Sequence, residues 1–163
     1  MKNMKNIMAT LSALIICVTV LAGCGDPVQD DLINYINNQL PAIATLEEKV
    51  TNEYQAVKED SNADDAAFAA KLKDVIIPAS NDLIAKAKAT VPATEEVKKA
   101  HDKYTASVTI QSEAFAILLD AAGKNDEELA KTANEKLTEA EKLSNEYLAD
   151  IEALKKEHGV ESK

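Results

Sequence analysis

Three observations predict an all-α chain, an antiparallel up-down-up-down four-helix bundle after a cleaved signal peptide. Ala, Glu, Lys and Leu dominate the 163 residues, with only four glycines and no tryptophan, a composition that favours helix. Apolar residues recur at steps of three and four in four separate stretches, the period of a one-sided helix. Each stretch is bounded by residues that start or stop helices, and the connections between them are short.

The first 23 residues stand apart. Lys2 and Lys5 lie in "MKNMKN" without an acid, and an apolar run follows from Ile7 to Val20, broken only by Thr10, Ser12 and Thr19. That is the layout of a secretory signal, and the run is too short for a bilayer, which needs roughly 20 apolar residues. Such a segment is expected to be removed, leaving the rest of the chain as one domain; the boundary between 1–23 and 24–163 is what the resemblance given below implies.

Helix one is announced by Asp26 as N-cap, Pro27 at the first helical position and Gln29 completing a capping box. Its stripe reads Val28, Leu32, Ile36, Leu40, Ile43, Leu46, Val50, Tyr54 and Val57. Pro41 falls inside the unbroken stripe and predicts a kink rather than a stop. After the turn at 60–65, Phe68, Leu72, Val75, Ala79, Leu83 and Ala87 trace helix two to about Thr90, with Pro78 inside it.

Pro92 marks the next loop, Thr94 is the expected cap, and Val97, His101, Tyr104, Val108, Gln111, Phe115, Leu118 and Ala122 trace helix three to a stop at Gly123. Asn125 is the expected cap of helix four. That helix runs through Ala133, Leu137, Ala140, Ser144, Tyr147, Ile151, Leu154 and His158 to Gly159. In an up-down-up-down order, the 90–93 loop and the C-terminus share the end where helix one begins.

Leu21-Ala22-Gly23-Cys24 closes the apolar run and resembles the lipobox of bacterial lipoproteins. The resemblance implies that a signal peptidase recognises Leu21, Ala22 and Gly23. It implies further that Cys24 carries a diacylglyceryl thioether and becomes the first residue, anchoring the chain to the outer face of the cell membrane. Two acyl chains hold stably where one does not. Cys17 leaves with the signal, so no internal disulfide is expected. The body, over 26–158, is similar to small all-helical lipoproteins of Gram-positive bacteria of uncharacterised function, and that likeness transfers no site residues.

Beyond the signal, 16 lysines face 28 acids, a net charge near −12, which disfavours nucleic acid as a partner. There is no arginine, so the bidentate fork for phosphate or carboxylate is missing. No cofactor and no metal are expected. Di-metal bundles use Glu-x-x-His, yet Lys98 and Lys155 stand three before His101 and His158. Asp60, Asn62 and Asp64 copy the start of a calcium loop, but Asp65 replaces its glycine and Lys71 its bidentate acid.

Two regions remain as binding candidates. His101 and Gln111 occupy seam positions, and pairing about the Gly123 turn sets His101 beside Ser144 and Tyr147, with Tyr35 at the same height. Tyr35, His101, Tyr104, Ser144 and Tyr147 should form a buried polar cluster that is either mutually satisfied or part of a small-ligand cavity opened by the kinks at Pro41 and Pro78. The second region is an acidic distal tip, Glu59, Asp60, Asp64, Asp65, Asp120, Asp126, Glu127 and Glu128, suited to an envelope protein partner. Lysines 86, 88, 98, 99, 155, 156 and 163 gather at the opposite end. The expected role is a non-catalytic interaction or binding module, with a small-ligand carrier or sensor as the alternative.

Overall fold

The computed structural model describes residues 18–20, 25–60 and 64–162, the side chains of 18–20 and Ser162 excepted. Asp26 opens the first rod: its Oδ1 accepts from the backbone N–H of Val28 and Gln29, satisfying donors that a helix start leaves orphaned. From there α1 (Pro27–Asn34), a π-helical turn (Tyr35–Gln39) and α2 (Leu40–Glu59) run on without a break. The second rod repeats this design with α3 (Asp65–Lys71), a π-helical turn (Leu72–Ile76) and α4 (Ile77–Ala89). The third and fourth are uninterrupted, α5 (Glu95–Lys124) and α6 (Glu127–Glu157). No helix among the described residues is long and apolar enough to cross a membrane.

The two π turns are how the chain accommodates its interior prolines. A proline ring collides with the carbonyl four residues back and offers no N–H. In both rods the residue just before the proline bonds five residues back instead, Leu40 N–H to Tyr35 O and Ile77 N–H to Leu72 O. Each widened turn absorbs one residue more than an α turn would, and the inward face moves on by one. Glu47 and Ile76 are buried where the apolar spacing favours Leu46 and Val75, which are only half-buried. Ala44, Thr51 and Ser80 join the core for the same reason.

Two helix ends differ from the expected punctuation. Gly123 lies inside α5, and Asn125 takes the left-handed conformation at φ 52° that ends it. Asparagine is the non-glycine residue that best tolerates this region. Asp126 then caps α6, accepting from Glu128 and Leu129 N–H. Thr94 precedes α5 as expected, but its hydroxyl bonds outward rather than to its own helix.

The core joins all four rods through Leu32, Tyr35, Ile43, Val50, Tyr54, Leu72, Ile76, Leu83, Val97, Tyr104, Val108, Phe115, Leu118, Leu137 and Tyr147. Between α5 and α6, Lys103 pairs with Asp150 at 2.7 Å, Ser107 Oγ donates to Ala140 O at 2.7 Å, and Lys136 pairs with Glu113 at 2.6 Å. Lys71 of α3 pairs with Glu53 of α2. Ile33, Ile77, Ile84 and Ile110, which the spacing leaves off the seams, are half-buried. A short two-stranded pair lies outside the helices, β1 (Val18–Val20) antiparallel to β2 (Val160–Ser162), with Val20 opposite Val160; β1 belongs to residues 1–23, so the cleavage expected from the sequence would leave β2 without this partner.

Candidate functional site

One end of the molecule is held by two aspartates of the first rod. Asp26 Oδ2 lies 2.6 Å from His158 Nδ1, and this bond holds its carboxyl below the usual carboxylate range. Gln29, instead of closing a capping box on its own helix, donates from Nε2 to the His158 carbonyl. Asp31 reaches the 90–94 connection: its Oδ1 accepts from Ala93 N–H at 3.0 Å, and its Oδ2 from Thr94 N–H at 2.8 Å and the Thr94 hydroxyl at 2.7 Å. The start of the first rod, the α4–α5 connection and the end of α6 are thus bonded together. Periodicity cannot reveal such contacts, since Asp26 lies 132 residues from His158, and Asp31 lies 62 and 63 residues from Ala93 and Thr94.

Deeper in, the seam polar residues meet. Tyr35 Oη lies 2.9 Å from His101 Nδ1 and 3.3 Å from Tyr147 Oη. His101 Nε2 lies 2.8 Å from the Ala87 carbonyl and 3.4 Å from Thr105 Oγ1. A carbonyl can only accept, so Nε2 carries hydrogen. The Tyr35 hydroxyl thus bridges His101 Nδ1 and the Tyr147 hydroxyl, within hydrogen-bonding distance of both. The rings pack as well, Tyr35 edge-on to His101 and Tyr104 tilted against Tyr147 at 5.2 Å.

Tyr104 turns the other way and donates to Glu47 Oε2 at 3.1 Å. Ser144 is buried on α6, one turn before Tyr147. Five seam residues named from spacing therefore occupy the interior, with Tyr35, His101 and Tyr147 directly connected. Glu47, at 3% exposure, is the member that spacing missed. Burial pushes its carboxyl up to about 7, against a smaller opposing effect of the Tyr104 hydrogen bond. Burial likewise raises Tyr147 to about 12 and lifts Tyr35 and Tyr104 further, so these phenols serve as neutral donors and acceptors. Tyr35→Phe should cost about 1–2 kcal/mol, because it strands His101 Nδ1 and the Tyr147 hydroxyl together. Urea denaturation gives the magnitude, and nitrogen NMR of the His101 ring should report the lost bond.

A space that reaches this cluster opens beside the α4–α5 connection. It is a cleft of about 220 Å³ lined by Ala87, Lys88, Thr90, Val91, Pro92, Lys98, His101, Asp102 and Thr105. Among the described residues no three His, Cys, Asp or Glu side chains stand together to hold a metal ion.

At the opposite end, several acids already serve their own helices. Asp64 caps α3 through Ala67 N–H at 2.8 Å, Asp126 caps α6, and Asp120 pairs with Lys124 at 2.7 Å. Glu59, Asp65, Glu127 and Glu128 are exposed, while Asn62 lies outside the described residues. Of the lysine group, Lys155 is buried and reaches Glu152 at 2.6 Å, so it does not add to an exposed basic face. Leu21, Ala22, Gly23, Cys24 and Lys163 also lie outside the described residues. Comparison with protein-family models, with curated proteins and with solved structures yields no match.

Proposed function

We propose that this chain is an extracytoplasmic lipoprotein of the bacterial cell envelope. A diacylglyceryl group on Cys24 holds an antiparallel up-down-up-down bundle against the membrane as a non-catalytic binding module. The observation that carries the reading is the position of Asp26. Only Gly25 separates the lipobox cysteine from the residue that caps the first rod and binds His158. A lipid at Cys24 would therefore have almost no tether, and the bundle would stand on the bilayer instead of floating above it.

The antiparallel arrangement is supported by the α5–α6 pairs, in which partners rise in number along one helix as they fall along the other. Binding rather than catalysis is supported by the polar cluster, whose members spend their hydrogen bonds on one another. The exposed acids Glu59, Asp65, Glu127 and Glu128 at the far end are the surface offered to an envelope protein partner.

Cys24→Ser is the test of the anchor. Serine offers no thiol for alkylation, so the precursor should keep residues 1–23 and lose its acyl-dependent partitioning into a detergent phase. Metabolic labelling with a fatty-acid analogue reads the modification directly. Normal processing and unchanged labelling of the serine variant would refute the reading.

A further inference from the structure

The cleft beside the α4–α5 connection carries two lysines that the polar cluster does not use. Lys88 and Lys98 line it together with Thr90, whose hydroxyl donates to the Lys86 carbonyl, and with Thr105 and His101, which already meet each other. Lys98 meets Glu95 only at 3.9 Å, with both side chains well exposed, a pairing too weak to withhold the lysine from a ligand. Asp102 on the same lining leaves two lysines against one carboxylate. That balance matches a singly charged phosphodiester better than a doubly charged phosphate. The volume falls below that of usual pockets for drug-sized ligands, and it suits a headgroup rather than a metabolite with a large body.

The cleft's rim is apolar. Val91 is 68% exposed, the most exposed large hydrophobic among the described residues. Its exposure is built in, because the next residue, Pro92, is buried and the Ala93 and Thr94 amides are held by Asp31. Asp31 also joins this loop to the rod that starts at Asp26, two residues after Cys24.

We infer that this end is a second, protein-made membrane contact, in which Val91 enters the interface while Lys88 and Lys98 hold the phosphodiester of an anionic phospholipid in the cleft. The inference rests on the lipid-anchor reading. It fixes which face of the bundle meets the bilayer, where an anchor alone would leave the bundle free to roll. Basic side chains at an anionic surface and an apolar residue at the interface act together in such contacts.

The test uses the protein as cells process it, carrying Val91→Cys. With Cys17 removed and Cys24 alkylated, residue 91 is the single thiol, and it takes an environment-sensitive dye. The labelled protein is incorporated into phosphatidylcholine vesicles or vesicles half phosphatidylglycerol, and flotation confirms attachment. A blue shift and severalfold lower quenching by iodide are expected on phosphatidylglycerol. The gain should disappear in Lys88→Gln/Lys98→Gln, whose helical circular dichroism should be unchanged.

Inorganic phosphate at millimolar concentration should not reverse the shift; reversal would assign the cleft to free phosphate and overturn the inference. A floating protein whose dye stays aqueous, or responds equally on both vesicles, would overturn it while leaving the anchor intact. Protein that does not float at all, or that takes dye at Cys24, would instead refute the anchor and the inference with it.

Discussion

At pH 8 the Glu47→Gln protein is expected to be about 3 kcal/mol more stable than the wild type, and at pH 4 the two should be nearly equal. Glu47 has an ordinary value of 4.5 and is pushed up to about 7 by burial. A displacement of that size corresponds to about 3 kcal/mol. The sign follows from which state releases its proton first. Below pH 4.5 both states are protonated and stability is undiminished. Between 4.5 and 7 the unfolded chain ionises while the folded one holds its proton, so stability falls as pH rises. Above 7 both are ionised and the full cost of a buried carboxylate persists. Glutamine has no charge to bury and keeps an oxygen to accept from Tyr104. Urea denaturation of both proteins from pH 4 to pH 8 measures the difference, and parallel curves at every pH would show that Glu47 is not desolvated in solution.

That expectation bears on what the polar interior is for. Among the described residues, Glu47 receives a neutral hydroxyl and no ion pair, and a buried charge without a counter-ion is destabilising. A bundle selected for stability alone would place leucine there. The neighbouring contacts are different in kind, since Tyr35, His101, Tyr147 and the Ala87 carbonyl are linked without a carboxylate. The part of the cluster containing Glu47 therefore carries the pH dependence argued here. Between pH 4.5 and 7 the bundle should loosen progressively as the Glu47 carboxyl ionises.

Much of this architecture was legible in the sequence because it is written in local chemistry. Asp26 and Asp64 cap helices with oxygens that reach amides only two or three residues away. The stripes on α5 and α6 are read without error from Val97 to Leu118 and from Ala133 to Ile151, all of them buried where the spacing says. Legibility fails where an added residue alters the phase. Leucine is the more apolar choice at 46, yet the π turn before Pro41 rotates the rod and brings Glu47 inward. The signal was present as a proline within an unbroken stripe, and it marks a phase shift once the fate of the displaced carbonyl is considered. Asn125 was read as the cap of the last helix, but Asp126 takes that place and Asn125 is the left-handed residue that ends α5, a role for which Gly123 offered the better conformational match two residues earlier. The cleft was not legible at all: it depends on Asp31, whose partners at 93 and 94 lie sixty residues away.

Asp31→Ala should be the most damaging single change at the end where the first rod begins, lowering stability by about 3 kcal/mol. The carboxylate accepts three hydrogen bonds, two of them from the backbone amides of Ala93 and Thr94 just before α5, and bonds to a charged acceptor are each worth about 1.5–3 kcal/mol. The losses do not simply add, because alanine at 31 lets water reach part of the site. Removing Asp31 leaves the Ala93 and Thr94 amides and the Thr94 hydroxyl without the partner that holds the connection to the first rod. The damage should also be directional. Hydrogen exchange should accelerate at Ala93 and Thr94 and through the first turn of α5, while the amides around Phe115 and Leu137 lose only the global increment. Asp31→Asn keeps one acceptor oxygen and should recover about half of the loss. If both variants denature at the wild-type urea concentration, the 90–94 connection is held by something other than Asp31, and the fixed exposure of Val91 loses its physical basis.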